Sequence, residues 1–368
     1  MVEEVLYSYR AKYVIIIIYF CHGFKALASL DCNFDGGFCG WQQERADNFN
    51  WRRRHTETPT SDTGPDADHT TGYGYYIYIE ANGRNIGDTA RLNSPGQTSG
   101  QYCLAFWCSM YGKHIGTLNV YIKSDDGNES VIFTKNGDAG TSDWRNIIVD
   151  VNTLNGFKIV IEGICGNGNK GDIAIDDISM TKGTCTDCDF DNGLCYWTQV
   201  DDDDFDWELN KGQTLTDNTG PISDHTSGNG HYIYIESSEK DRHDIAQLVS
   251  PYQHAGKYCF SFWYNMYGQH VDRFRVVQWY TNGTIQELFR KAGNHGNKWI
   301  PENIIMESPI DFKIILEGRI KNAMSWYRNK GDIAVDDVLM MSCHVGSGRN
   351  SPPVMDGTTY FQRSPRQV

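Results

Sequence analysis

The sequence predicts an all-β protein: two tandem jelly-roll-like antiparallel β-sandwiches, each closed by disulfides. Three observations carry that expectation. Short apolar and aromatic runs recur at regular spacing with turn residues between them, and none has a helical period. The run 101–112, QYCLAFWCSMYG, returns as 257–268, KYCFSFWYNMYG, 156 residues later, and many other pairs keep that offset. The spacing of Cys32 and Cys39 is repeated by Cys188 and Cys195.

Composition supports this class and excludes others. The chain has 368 residues, room for two ordinary domains, with 37 Gly and 10 Pro marking turns. A formal charge of −14 lacks the basic footprint that nucleic acid requires. It is compatible with carboxylate metal sites, although most acidic surfaces are simply solvated. Eleven cysteines in matched spacings point to a disulfide framework in an oxidising compartment. A zinc site would need repeated C-x-x-C pairs; Cys185 and Cys188 make one that straddles the repeat boundary and has no echo.

In chain order, residues 1–28 read as a secretory signal peptide. Arg10 and Lys12 precede an apolar run, and Ala26, Leu27 and Ala28 give a small-residue cleavage pattern. Cleavage there would remove Cys21 and leave an even ten cysteines. Glu3 and Glu4 weaken the basic flank, which keeps an N-terminal signal anchor as the alternative.

The first repeat spans 31–185 and the second 187–343, with almost nothing between them. The first opens C-N-F-D-G-G-F-C-G-W from Cys32, the second C-D-F-D-N-G-L-C-Y-W from Cys188. Trp51 matches Trp207, and the segment around Asp68, His69 and Thr70 matches Asp224, His225 and Thr226. Predicted strands in the first repeat are 74–80, 90–92, 102–109, 117–124, 130–134, 144–150, 157–162 and 172–180. The tail 344–368 is rich in Gly, Ser and Pro and reads as disordered.

These ordered motifs resemble the MAM domain family, known from meprins, receptor protein tyrosine phosphatases and neuropilins. The carriers are C-x-F-D-x-G-x-C-x-W, T-G-P-x-x-D-H-T, Y-I-Y-I-E, L-x-S-P, C-x-x-F-W-x-x-M-Y-G and G-D-I-A-[IV]-D-D-[IV], in order and in both halves. The resemblance implies a two-sheet jelly roll, an extracellular setting and a role in adhesion or assembly. It also implies disulfides Cys32–Cys39, Cys103–Cys185, Cys188–Cys195 and Cys259–Cys343. Cys108 and Cys165 depart from the family pattern. Two unmatched cysteines in one repeat most simply pair with each other; an intermolecular bridge is the alternative.

Asp35, Asp68, Asp176 and Asp177 recur as Asp191, Asp224, Asp336 and Asp337. Such carboxylates suit calcium, one cation per domain, as some members of the family hold near these positions. The competing reading is that they cap turns and accept backbone hydrogen bonds. Strand alternation sends Asp176 and Asp177 to opposite faces, so at most one faces the interior.

The G-x-G-x-x-G match at 166–171 precedes a strand instead of a helix, which makes it a hairpin turn and not a dinucleotide loop. No G-x-S-x-G or H-E-x-x-H is present, and Asp68 beside His69 has no nucleophile in a motif, so no enzyme is expected. Asn128 and Asn282 head N-x-S/T sequons in the same aligned loop, and both are expected as glycosylation sites.

The expected function is that of a secreted, non-enzymatic adhesion protein. Its partners are extracellular proteins, a second copy included, with no nucleic acid and no small-molecule substrate. Membrane contact would come by association or through the N-terminal anchor. One alternative is a non-catalytic part or relative of a larger membrane protease or phosphatase bearing such domains. The other, a carbohydrate-binding jelly roll, rests on fold analogy alone.

Overall fold

The structure, a computed structural model, describes residues 29–238, 240, 243–321 and 330–343. The expected signal segment 1–28, the tail 344–368 and most of the loop that answers 166–171 in the second repeat lie outside them.

Among the described residues, ten strands build each repeat. The first contains β1 (Gln42–Gln43), β2 (Arg52–Arg54), β3 (Tyr76–Ile79), β4 (Thr89–Asn93), β5 (Gly100–Met110), β6 (Thr117–Ser124), β7 (Glu129–Asn136), β8 (Arg145–Thr153), β9 (Phe157–Ile164) and β10 (Ile173–Lys182). The second contains β11 (Thr198–Gln199), β12 (Glu208–Asn210), β13 (Tyr232–Ile235), β14 (Ile245–Val249), β15 (Gly256–Tyr267), β16 (Val271–Tyr280), β17 (Ile285–Ala292), β18 (Gly296–Ser308), β19 (Phe312–Ile320) and β20 (Asp332–Ser342).

They form two five-stranded sheets per repeat. The orders are β1-β4-β9-β6-β7 and β2-β3-β10-β5-β8, and the second repeat copies both. Every named pairing is antiparallel, as in a sandwich whose strands are joined by hairpins and crossovers. The eight expected strands of the first repeat are present. β1 and β2 are additional, because two or three residues are too few to show a period.

Alternation explains the core. Leu104, Phe106, Cys108 and Met110 of β5 meet Leu118, Val120 and Ile122 of β6 and Ile159 and Ile161 of β9 in one buried cluster drawn from both sheets. The second repeat assembles the equivalent cluster from Phe260, Phe262, Tyr264, Phe274, Leu316 and their neighbours.

Trp51 crosses between the sheets. Its indole nitrogen donates to Ala90 O at 3.0 Å, and Trp207 does the same to Ala246 O at 3.2 Å. Each indole lies against a glycine: a Cβ on Gly163 would stand 3.1 Å from Trp51 Cζ2 and 2.8 Å from Ile79 Cδ1. Gly318 faces Trp207 and Ile235 in the same way.

Four disulfides are formed: Cys32–Cys39, Cys103–Cys185, Cys188–Cys195 and Cys259–Cys343. Cys108 and Cys165 are not bonded to each other, contrary to expectation; both are free, buried thiols. Cys108 sits within β5, opposite Ile175 and Arg145, whereas Cys165 follows β9 in the facing sheet with its N–H on Asp88 O. Facing sheets stand ~10 Å apart, and a disulfide needs Cα atoms within ~7 Å, so both thiols serve as small core-filling groups.

Candidate functional site

The most elaborate polar construction in each repeat is organised by an irregularity in its last strand. β10 pairs with β5 through Ile173, Ala174, Ile175 and Asp176; the register then shifts before Ser179, and Asp177 takes φ 47°. Asp337 of β20 repeats this at φ 50°. A left-handed residue inside a strand marks a bulge, which re-aims the side chains around it. The alternation argument fails here: Asp336 and Asp337 are both buried, at 1% and 4% exposure, because the bulge breaks the pleat.

Asp176 is fully buried. Its Oδ2 accepts the His69 N–H at 3.1 Å and its Oδ1 the Asp177 N–H at 2.8 Å. Asp68 Oδ2 takes the N–H groups of Thr71 at 2.7 Å and Gly72 at 3.1 Å, together with the Thr71 hydroxyl at 2.9 Å. Asp35 Oδ1 accepts Tyr75 N–H at 2.7 Å. Asp35 and Asp68 approach each other over Gly74, where a Cβ would lie 2.5 Å from an oxygen of each. Gly230 is pressed in the same way by Asp191 and Asp224. The structure thus brings Asp35, Asp68 and Asp176 together and gives each the turn-capping bonds of the competing reading.

Their protonation is divided. Burial, reinforced by the charges of Asp177 and Asp68, pushes the Asp176 carboxyl up to about 8 despite its backbone donors. Burial opposes ionisation of Asp68 too, but the Thr71 and Gly72 donors and a hydrogen bond with Asp176 outweigh it and hold its carboxyl below the usual value. Asp336 is raised by burial and then by the charge of Asp337, while the donors around Asp224 outweigh its burial and lower its carboxyl. Of the two carboxyls, Asp176 therefore keeps its proton to higher pH than Asp68.

Asp177 faces away from this group. Its Oδ2 lies 2.8 Å from His69 Nδ1 and accepts the Thr70 hydroxyl. The His69 ring stacks on Trp107 with centroids 3.7 Å apart and an interplanar angle of 20°, and meets Trp144 edge-on at 6.2 Å. Trp144 Nε1 is anchored on Ala67 O at 2.9 Å. The second repeat reproduces each part: His225 Nδ1 on Asp337 Oδ2 at 2.7 Å, Trp263 stacked at 3.6 Å, Trp299 edge-on at 6.4 Å and bonded to Ser223 O. A cleft of about 550 Å³ opens beside Asp177 and Trp107, lined also by Thr70 and the Cys32–Cys39 disulfide.

Sequence reasoning set His69 beside Asp68, but its partner is Asp177. It also missed Trp107 with Trp263 and Trp144 with Trp299 as site residues; the available signal was their recurrence, the first pair at the 156-residue offset and the second one residue short of it. The chemistry open to this arrangement is limited. The carboxylate bonded to Nδ1 fixes the imidazole proton there, and Thr70 spends its hydroxyl proton on the same carboxylate. Thr70 Oγ1 also lies 3.1 Å from His69 Nδ1, so hydroxyl, imidazole and carboxylate form one closed hydrogen-bonded set.

The donors around Gly74 are all hard oxygens of the kind calcium prefers. Among the described residues, however, no three His, Cys, Asp or Glu side chains are grouped closely enough to hold a metal ion. Asp177 and Asp337, expected in the donor set, instead engage histidine. The sequons occupy matching hairpins. Asn128 Nδ2 donates to Asp126 Oδ2 at 2.9 Å, and Asn282 Oδ1 accepts the N–H and hydroxyl of Thr284 at 3.0 and 2.7 Å.

Comparison with known proteins agrees with this architecture. The family model described as "MAM domain, meprin/A5/mu" matches residues 32–186 and again 188–344. The chain is 40% identical over 158 residues to human MAM domain-containing protein 2, covering 42% of this chain and 23% of that protein. It is 37% identical over 180 residues to rat MAM domain-containing glycosylphosphatidylinositol anchor protein 2, covering 44% of this chain and 19% of that protein. The chain thus spans under a quarter of the length of these relatives.

Among solved structures, the tandem CBM22 domains of Paenibacillus barcinonensis Xyn10C align over 87% of this chain and 100% of that one, at 11% identity and a TM-score of 0.29. The K1 cleaved adhesin domain of Lys-gingipain from Porphyromonas gingivalis aligns over 42% of this chain and 98% of that one, at 16% identity and a TM-score of 0.33. With two consecutive matches that together cover most of its length, the chain belongs to the MAM domain family.

Proposed function

We propose that this chain is an extracellular, non-enzymatic adhesion protein that binds other proteins through its two MAM domains. The observation that carries the reading is the tandem family match in a chain whose two sandwiches are each closed by two disulfides, chemistry that belongs to an oxidising compartment. The proton arrangement of Thr70, His69 and Asp177 favours a structural use of the repeated dyad over a catalytic one. Relatives described as glycosylphosphatidylinositol-anchored support an extracellular setting, secreted or membrane-held.

The test uses the secreted chain in two assays. Cells should adhere to surfaces coated with it and be displaced by soluble chain, and sedimentation velocity should show whether a second copy is the partner. Absence of competed adhesion, together with a monomer at all concentrations, overturns the reading.

A second reading concerns calcium. Asp35, Asp68 and Asp176 would hold one cation and Asp191, Asp224 and Asp336 a second, and each trio would have to close further to do so, since no three such side chains converge among the described residues. The observation that favours it is the close approach of Asp35 and Asp68 over Gly74 with the buried Asp176 nearby, since a bound cation would compensate the charge of carboxylates held this close. Calcium titration followed by isothermal calorimetry should give about one site per domain; no heat from the wild-type chain overturns it.

A further inference from the structure

The two domains differ on the outer face of the β14-β19-β16-β17 sheet. At its hairpin end Trp279 pairs with Ile285 across to β17 and with Lys313 across to β19. Trp279 is 39% exposed, Ile285 60% and the adjoining Tyr252 61%. Lys313 Nζ lies 4.3 Å from the Tyr252 ring centroid and 5.9 Å from that of Trp279. Behind them Val249, Val277 and Ile315 form a small cluster on the same face, separate from the sandwich core. In the first domain the position of the Trp279–Ile285 pair is taken by Lys123 and Glu129, which form a salt bridge of 3.1 Å, and Lys158 stands for Lys313. One domain closes this corner with its own charges; the other leaves an apolar, aromatic one.

The hairpin above that corner carries the sequon. Tyr280 N–H bonds to Thr284 O at 2.9 Å and Gly283 N–H to Tyr280 O at 2.9 Å, with Gly283 at φ 83°. This is a three-residue loop with Asn282 at its tip, directly past the Trp279–Ile285 pair. Asn282 engages Thr284 through Oδ1, and among the described residues its Nδ2 has no protein partner. In the first domain the sequon asparagine is displaced by two residues to the loop exit, and its Nδ2 is tied to Asp126.

We propose that Asn282 carries an N-linked glycan whose first N-acetylglucosamine folds back onto Trp279 and covers the apolar outer face of the second domain. This rests on the extracellular reading, because transfer requires the lipid-pyrophosphate-linked oligosaccharide donor of the secretory pathway. In that step Asn282 Nδ2 forms a bond to sugar C1, the C1–O bond to pyrophosphate breaks with its electron pair leaving on oxygen, and the amide proton passes to the transferase. The apolar C–H face of a pyranose suits an indole face, and a glycan removes from water a patch that a lone sandwich would otherwise expose.

The experiment compares secreted wild-type chain with W279A, T284A and the double variant, using glycopeptide mass spectrometry, melting temperature and proton NMR of protein trimmed to one sugar. Asn282 should be occupied, and its N-acetyl methyl signal should show an upfield ring-current shift that W279A abolishes. T284A should lower the melting temperature in the wild-type background but not in W279A. T284A should also increase binding of an apolar dye, a readout that stands if W279A is not secreted. Asn282 empty while Asn128 is filled overturns this inference alone. Both sequons empty in chain recovered from the medium also overturns this inference, whereas a wild-type chain that is retained in the cytosol overturns the extracellular reading. Asn282 occupied with no methyl shift and no loss of coupling in W279A overturns the packing.

Discussion

His69 Nδ1 lies 2.8 Å from Asp177 Oδ2 although 108 residues separate them, and His225 repeats the contact with Asp337 at 2.7 Å. The bond joins the loop after Asp68 to the bulge of β10, so it fastens an irregular segment onto the strand that both neighbours of its sheet use. Stacked on Trp107 and edge-on to Trp144, the imidazole is held by polar and aromatic contacts at once.

Replacing His69 with Ala should remove both contacts and cost about 1–2 kcal/mol, lowering the first domain's melting temperature by a few degrees. D177A should cost less, because Thr70 and His69 sit near solvent and can turn to water. A double-mutant cycle should return a favourable coupling of at least about 0.5 kcal/mol. Strictly additive effects would mean that the bond contributes nothing measurable.

Gly163 should not tolerate a methyl group. A Cβ there would stand 2.8 Å from Ile79 Cδ1, and over-packing of this kind costs about 1–3 kcal/mol. Since the conflict is with the terminal methyl of Ile79, I79V should recover part of the loss in a G163A background while destabilising the wild type. Chemical denaturation of the four proteins measures this; the same pair in the second domain is Gly318 and Ile235.

Cys108 and Cys165 should resist thiol reagents in the native chain and react after unfolding without reductant. Both are buried, and burial raises each thiol to about 11, which leaves almost no thiolate at neutral pH. Mass spectrometry of alkylated peptides distinguishes them from the eight bonded cysteines. Protection that persists in denaturant would show a bond between them.

How much of this was legible in the sequence depends on the range of each interaction. The long strands β5 and β15 were readable because a dense apolar and aromatic run ended by a glycine reads as a buried strand, and the 156-residue offset repeated the signal. β1 and β2 were not, being too short to show an alternation. The Asp177 bulge is invisible to an argument that assumes a regular pleat, so the burial of both Asp336 and Asp337 was missed. The bond from His69 to Asp177 was out of reach because no local pattern links residues that meet only through sheet topology. The sequence argued against Asp68 as the partner of its neighbour His69 but offered no sign that Asp177 takes that place.

The raised carboxyl of Asp176 makes stability depend on pH in a definite direction. An unfolded aspartate releases its proton near 3.8, whereas Asp176 in the fold holds it to about 8. Between roughly pH 4 and 8 the folded state therefore binds more protons than the unfolded one, and stability falls as pH rises. Asp336 acts in the same sense. In EDTA the melting temperature should drop by several degrees from pH 5 to pH 8, and D176N with D336N should flatten that slope from a lower starting value, because an amide cannot accept both backbone N–H bonds. Calcium should act in the opposite sense if it replaces the proton on Asp176: its stabilising effect should be small at pH 5, grow toward pH 8 and vanish in D176N with D336N. A slope that survives the double substitution would place the titration elsewhere, and a calcium effect independent of pH would separate any cation from these carboxyls.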